Sequence, residues 1–242
     1  MLSMKSLINE SMKILINDVM FSLINAIMKT LIKGGLMIVS FLSQKGGVTK
    51  STLARAVAVA FADNDWSVHI ADMDWQQQTS CKWAARRDER KIEPSISSSS
   101  HRRVDSALKI ENAYNLLVID GRPSADKDSI LIAKSSELVI LPTGTSLDDL
   151  EPQLHLANDL RMNGINNEKI LFIVNKSPTD TEANNALDTI KSWGFKVCSH
   201  SIPFKAGYST AQDSGLSITE TRYNSLNQLT SKAIQEIVNL MI

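Results

Sequence analysis

Cysteine is scarce in this sequence: there are two in 242 residues, Cys81 and Cys198, and no C-x-x-C pair. That excludes zinc ribbons and iron–sulfur clusters, which need several thiolates at fixed spacing. Two such thiols suit a cytoplasmic protein. Net charge is also missing, because 26 Lys and Arg balance 26 Asp and Glu. No global field then draws the chain to nucleic acid or to an anionic membrane, and any such binding must come from a local patch. Long apolar runs are lacking too. The longest uncharged run near the N-terminus, Val19 to Met28, is about half of what a membrane helix needs. No small-residue cleavage site follows it, which argues against a signal peptide.

What is present is an ordinary globular composition, 43% hydrophobic and 21% charged, in a chain long enough for one sizeable domain. Residues 1–36 stand apart. Leu7, Ile8, Leu15, Val19, Leu23, Ile27 and Leu31 recur at near-helical spacing, and Gly34-Gly35 would end the helix. Three readings stand: an amphipathic helix packed on the protein or a partner, a helix on a membrane surface, or a stretch upstream of a translation start at Met37. The functional domain is expected over 37–242.

From Met37 onward, strand and helix signals alternate. Strands are expected at Met37–Leu42, Ser67–Ala71, Asn115–Ile119, Glu137–Leu141, Lys169–Val174 and Lys196–Ser201. Helices are expected at Ser51–Ala62, Gln78–Lys91, Arg102–Ile110, Asp126–Ala133, Ser146–Met162, Thr181–Trp193, Ala206–Asp213 and Arg222–Met241, with Ser95–Ser100 a loop or edge strand. This order predicts an α/β fold, a mostly parallel central sheet with helices on both faces. Ligands of such sheets sit at the carboxyl ends of the strands.

The chemistry concentrates there. Gln44-Lys45-Gly46-Gly47-Val48-Thr49-Lys50-Ser51-Thr52 joins the first strand to the first helix, the context a phosphate loop requires. Gly46 and Gly47 let backbone N–H groups turn toward phosphates, and the helix N-terminus adds positive potential. Lys50 would neutralise β- and γ-phosphates, and the Ser51 hydroxyl would ligate Mg²⁺. The second strand ends in Asp72-Met73-Asp74 and the third in Asp120. Carboxylates near a triphosphate can hold Mg²⁺-bound water and orient the attacking water; the plainer alternative is that Asp72 and Asp74 cap the next helix.

The pattern K-G-G-x-x-K-[ST]-[ST], complete in Lys45, Gly46, Gly47, Lys50, Ser51 and Thr52, resembles the deviant Walker A motif of the ParA/MinD class of P-loop ATPases. Asp72-x-Asp74-Trp75-Gln76 is similar to the D-x-D-P-Q of that class, with Trp75 in place of proline, and Thr49 stands where the class has glycine. The resemblance implies ATP and Mg²⁺ as ligands. It implies that Lys45 reaches across a nucleotide-sandwiched homodimer, that Asp74 orients the attacking water, that Asp72 supports the metal shell, and that Asp120 holds Mg²⁺ through water. It implies a γ-phosphate-sensing turn at Gly121-Arg122-Pro123. At the far end it implies that Asn175 contacts the base, where a turn-capping role is the alternative. The segment from Ile202-Pro203-Phe204 to Gly215 resembles the one that closes over the base, so Pro203 joins the nucleotide contacts.

Among members of the class, the chain is most similar to short plasmid-type ParA proteins. Over Asn224–Ile242 its last helix carries only Lys232 as a cation, which argues against a membrane-targeting role, and no DNA-binding domain is visible ahead of Met37. The resemblance implies non-specific DNA binding, a ParB-like centromere-binding partner and a nucleoid-associated cytoplasmic location. Lys82, Arg86 and Arg90 fall on one helical face, with Arg87, Arg102 and Arg103 nearby, as DNA-contact candidates. The alternatives are a relative that positions a protein complex in secretion, flagellar placement or chemotaxis, and a nucleotide-binding regulator without turnover.

Overall fold

Seven consecutive buried residues, Met37–Ser43, make β1 the centre of a parallel sheet in the computed structural model. Such a run suits a strand covered on both faces. The structure describes residues 36–110, 113–124 and 127–242. The helix expected over Leu7–Leu31 lies outside the described residues, and Leu36–Met241 forms one compact unit.

After β1 come α1 (Lys50–Ala62), β2 (Val68–Asp72), α2 (Thr79–Glu89), β3 (Ser97–Ser100), α3 (Val104–Leu108) and β4 (Leu116–Pro123). Then follow α4 (Lys127–Ser135), β5 (Leu138–Thr143), α5 (Leu147–Met162), β6 (Ile170–Ser177), α6 (Asp180–Ser192), β7 (Lys196–Val197), β8 (Ile202–Pro203), α7 (Ala206–Asp213) and α8 (Asn224–Asn239). The sheet order is β3-β2-β4-β1-β5-β6-β7, all pairings parallel, and β8 pairs with the far end of β6.

The period-two alternation of the strands divides the core. Ile38, Leu42, Leu117, Ile119, Val139 and Leu141 pack with residues of α3, α4, α5 and α6 on one face. Helix α1 packs on β1, β2 and β4, and α8 lies against it. Both faces are therefore covered, as expected.

Three differences from the sequence expectation are local. Strand β4 runs on to Pro123, because Gly121 allows the close approach: a Cβ there would sit 2.7 Å from the Phe41 carbonyl oxygen. The expected strand Lys196–Ser201 shortens to two residues, and pairing with the end of β6 resumes at Ile202–Pro203. The helix expected at Arg102–Ile110 is only Val104–Leu108. The serine stretch, expected as a loop or an edge strand, is an edge strand, held by His69, whose ring nitrogens bond the Ser97 and Ser99 hydroxyls at 2.9 and 2.7 Å. No helix among the described residues is long and apolar enough to cross a membrane.

Candidate functional site

The register of the central strands decides where the acidic groups lie. Asp72 of β2 pairs directly with Asp120 of β4, and β1 beside them feeds the loop Gln44–Thr49 into α1. The loop needs left-handed backbone at Gly47 (φ 78°) and again at Thr49 (φ 69°). These reversals set the N-terminus of α1 against the loop.

Lys50, at the first turn of α1, is 6% exposed. Its ammonium donates to the Lys45 carbonyl at 3.1 Å, folding back over the loop. Burial lowers its pKa, and the nearby Asp120 and Asp74 charges work against that shift. Ser51 accepts from the Thr79 hydroxyl at 3.1 Å. Asp120, at 2% exposure, accepts from the Ser80 hydroxyl at 2.7 Å through Oδ2, while its Oδ1 is buried without a partner. Burial raises the Asp120 pKa; the Ser80 bond, the Ser51 hydroxyl nearby and the charges of Arg55 and Lys50 oppose it. An orphaned carboxylate oxygen beside a serine and a lysine, at the head of a helix, is the donor set expected of a Mg²⁺-phosphate site. Among the described residues no group of three His, Cys, Asp or Glu could hold a metal by itself.

Asp72, expected to support the metal shell, also has a structural task. It is fully buried, its Oδ1 accepts from the Asp74 amide at 3.0 Å, and its Oδ2 accepts from the amides of Ser80 at 2.8 Å and Cys81 at 3.4 Å. Both oxygens accept backbone amides, so Asp72 caps the first turn of α2. Burial, and next the Asp120 charge, push its pKa up to about 6, with the amides pulling the other way. Asp74 is half-buried and lines the cavity, with Oδ1 accepting from the Gln77 amide at 3.1 Å.

Lys45 reaches in the other direction, to Asp149 at 2.6 Å and the Asp148 carbonyl at 3.3 Å. The hydrogen bond it donates to Asp149 raises its pKa. From the loop a cavity of about 450 Å³ extends past Thr52 to Asn175, Pro203, Phe204 and Tyr208. Gly46 and Gly47 line its mouth, whereas Val48 is buried behind them. Asn175 is 2% exposed at the end of β6, paired with Ile202 of β8.

The basic candidates separate. Lys82 and Arg90 are exposed, as are Arg102, which stacks 3.9 Å from the Trp75 ring centre, and Arg103, which pairs with Asp105 at 3.0 Å. Arg86 is half-buried and donates to the Gln212 carbonyl at 3.4 Å. Arg87 is a correction: it cannot meet DNA, because it is fully buried. It forms a two-pronged pair with Glu220 at 2.7 and 2.8 Å and donates to the carbonyls of Glu93, Pro94 and Gly215. Helical spacing put Arg87 near the surface cations, but the chain from Gly215 to Glu220 folds over it. Breaking such a pair strands the partner charge at a cost of about 3–5 kcal/mol. Arg87→Met is therefore expected to melt about 10 °C lower, with circular dichroism as the check.

Sequence reasoning did not reach several residues of the site. Thr79 and Ser80 bond Ser51 and Asp120, Arg55 donates to Ser80 at 3.2 Å and to Gln212 at 2.7 Å, and Asp149 holds Lys45. Only the acidic first turn of α5 carried a signal for any of them.

Residues 39–218 match the family model of the CobQ/CobB/MinD/ParA nucleotide-binding domain. The chain belongs to this family. No curated protein sequence matches it. Among solved structures it is similar to Pyrococcus horikoshii MinD complexed with Mg-ADP, at 18% identity and TM-score 0.68, covering 85% of this chain and 97% of that one. It is also similar to a Borrelia burgdorferi plasmid partition protein bound to AMPPNP, at 16% identity and TM-score 0.66, covering 84% and 99%. A third is a Cyanothece McdA–ATP complex, at 14% identity and TM-score 0.63, covering 84% and 96%. At these identities the likeness is one of fold. It agrees with the parallel sheet and two helical layers of this family member.

Proposed function

We propose that this ParA/MinD-family chain binds ATP with Mg²⁺, hydrolyses it, and works as a DNA-partitioning ATPase. The observation that carries the nucleotide reading is the meeting of Lys50 and Ser51 in the wall of a cavity that runs on to Asn175 and Pro203, with Asp120 buried beside them. Bound Mg²⁺ would polarise the terminal phosphate. Loop amides from Gly46 to Ser51 and the Lys50 ammonium would bind the triphosphate, with Ser51 and Asp120 holding the metal directly and through water. Asp74, at the cavity wall, would orient the attacking water. Lys45 would leave Asp149 and cross to a second copy, closing a homodimer over two nucleotides.

The partitioning reading rests on the family and on the exposed cations Lys82, Arg90, Arg102 and Arg103. A ParB-like partner would supply the cargo. The test is binding to random-sequence duplex DNA, with and without ATP, across a salt series. ATP-dependent binding with a steep salt slope is expected. Reversing charge at Lys82 and Arg90 together should weaken it and reduce the slope by about two. Absence of ATP-dependent binding in the unaltered chain would favour a protein-complex cargo instead.

A further inference from the structure

The phosphate loop of this chain has a threonine where its backbone is left-handed. Thr49 sits at φ 69°, ψ 22°, a region that crowds a β-branched side chain and that glycine enters freely. Its hydroxyl lies 2.5 Å from Asn175 Oδ1 and 2.6 Å from the Val48 carbonyl, so one proton serves two acceptors. The Asn175 amide nitrogen faces the Val48 carbonyl at 3.4 Å, and the neighbouring Lys176 ammonium donates to the Gly47 carbonyl at 2.8 Å. Three consecutive loop residues, Gly47, Val48 and Thr49, are thus gripped from the end of β6. Asn175 is itself fixed, 2% exposed and paired with β8.

We propose that Asn175 is a positioning residue for the phosphate loop: through the Thr49 hydroxyl it holds open the backbone conformation that a glycine would adopt unaided. The proposal rests on the nucleotide reading of the site, and it gives Asn175 a task other than the base contact that the family resemblance implies. With its amide oxygen on Thr49 and its nitrogen toward Val48, Asn175 acts on the loop, and so on the phosphates.

Two ligands separate the roles: ATP, and inorganic tripolyphosphate, which has no base. Affinities are measured by calorimetry with Mg²⁺, and circular dichroism confirms that each variant is folded. Asn175→Ala is expected to weaken both ligands by about tenfold, equivalent to ~1.4 kcal/mol. In a Thr49→Gly background the same Asn175→Ala change should cost less than about twofold, because the loop no longer needs the anchor. Thr49→Val, which keeps the shape and removes the hydroxyl, should reproduce the Asn175→Ala loss without adding to it. A loss for ATP with none for tripolyphosphate would return Asn175 to the base and overturn the proposal. So would an unchanged Asn175→Ala penalty in the Thr49→Gly background, or no penalty at all. Failure of the unaltered chain to bind either ligand would instead sink the nucleotide reading beneath it.

Discussion

The Lys50→Ala variant is expected to lose ATP binding by at least about a hundredfold. Lys50 is 6% exposed, and its ammonium is aimed over the loop at the Lys45 carbonyl. A hydrogen bond to a charged group contributes about 1.5–3 kcal/mol, and leaving the phosphate charge buried without a counterion adds its own penalty. Together these reach the two decades or more expected in Kd. The loss is compounded at Asp120, whose carboxyl is already raised by burial and counts Lys50 among the charges that restrain it. Removing that cation makes the carboxylate harder to ionise and so harder to offer to a metal. Titration calorimetry with Mg-ATP is the check. A variant that kept micromolar affinity would show that the triphosphate lies elsewhere.

The second large effect is kinetic. Asp74→Ala is expected to bind ATP nearly as the parent does and to hydrolyse it roughly a hundredfold or more slowly, the range found when a positioned proton acceptor is removed. Asp74 differs from Asp72 in having one oxygen free of the backbone bonds among those seen: Oδ1 takes the Gln77 amide, and the residue faces the cavity. Single-turnover hydrolysis separates the two quantities, and light scattering should show a nucleotide-loaded dimer accumulating. Parental single-turnover rates would remove Asp74 from the chemistry.

The fold was legible wherever the pattern is local. Buried central strands read as apolar runs, because covering both faces demands it, and the helix Ala206–Asp213 falls where its periodicity puts it. The phosphate loop was legible because its chemistry is confined to nine adjacent residues. What was not legible depends on distant chain. Whether an arginine in α2 faces water or a carboxylate is decided by Glu220, 133 residues away. Spacing alone could not tell Asp72 from Asp74: both stand at a strand end, and only the α2 amides folding back onto Asp72 make it a cap. Thr49 read simply as a departure from a glycine pattern; its hydroxyl partner lies 126 residues along the chain.

The sheet also tapers. Its two rims are β3, four serines, and β7, two residues long. A rim that short offers few free peptide groups, and hydroxyl-bearing side chains add no apolar incentive, so among the described residues neither flank is much of a template for a neighbouring molecule's strand. Among the described residues, contact between copies is then left chiefly to loops and helices.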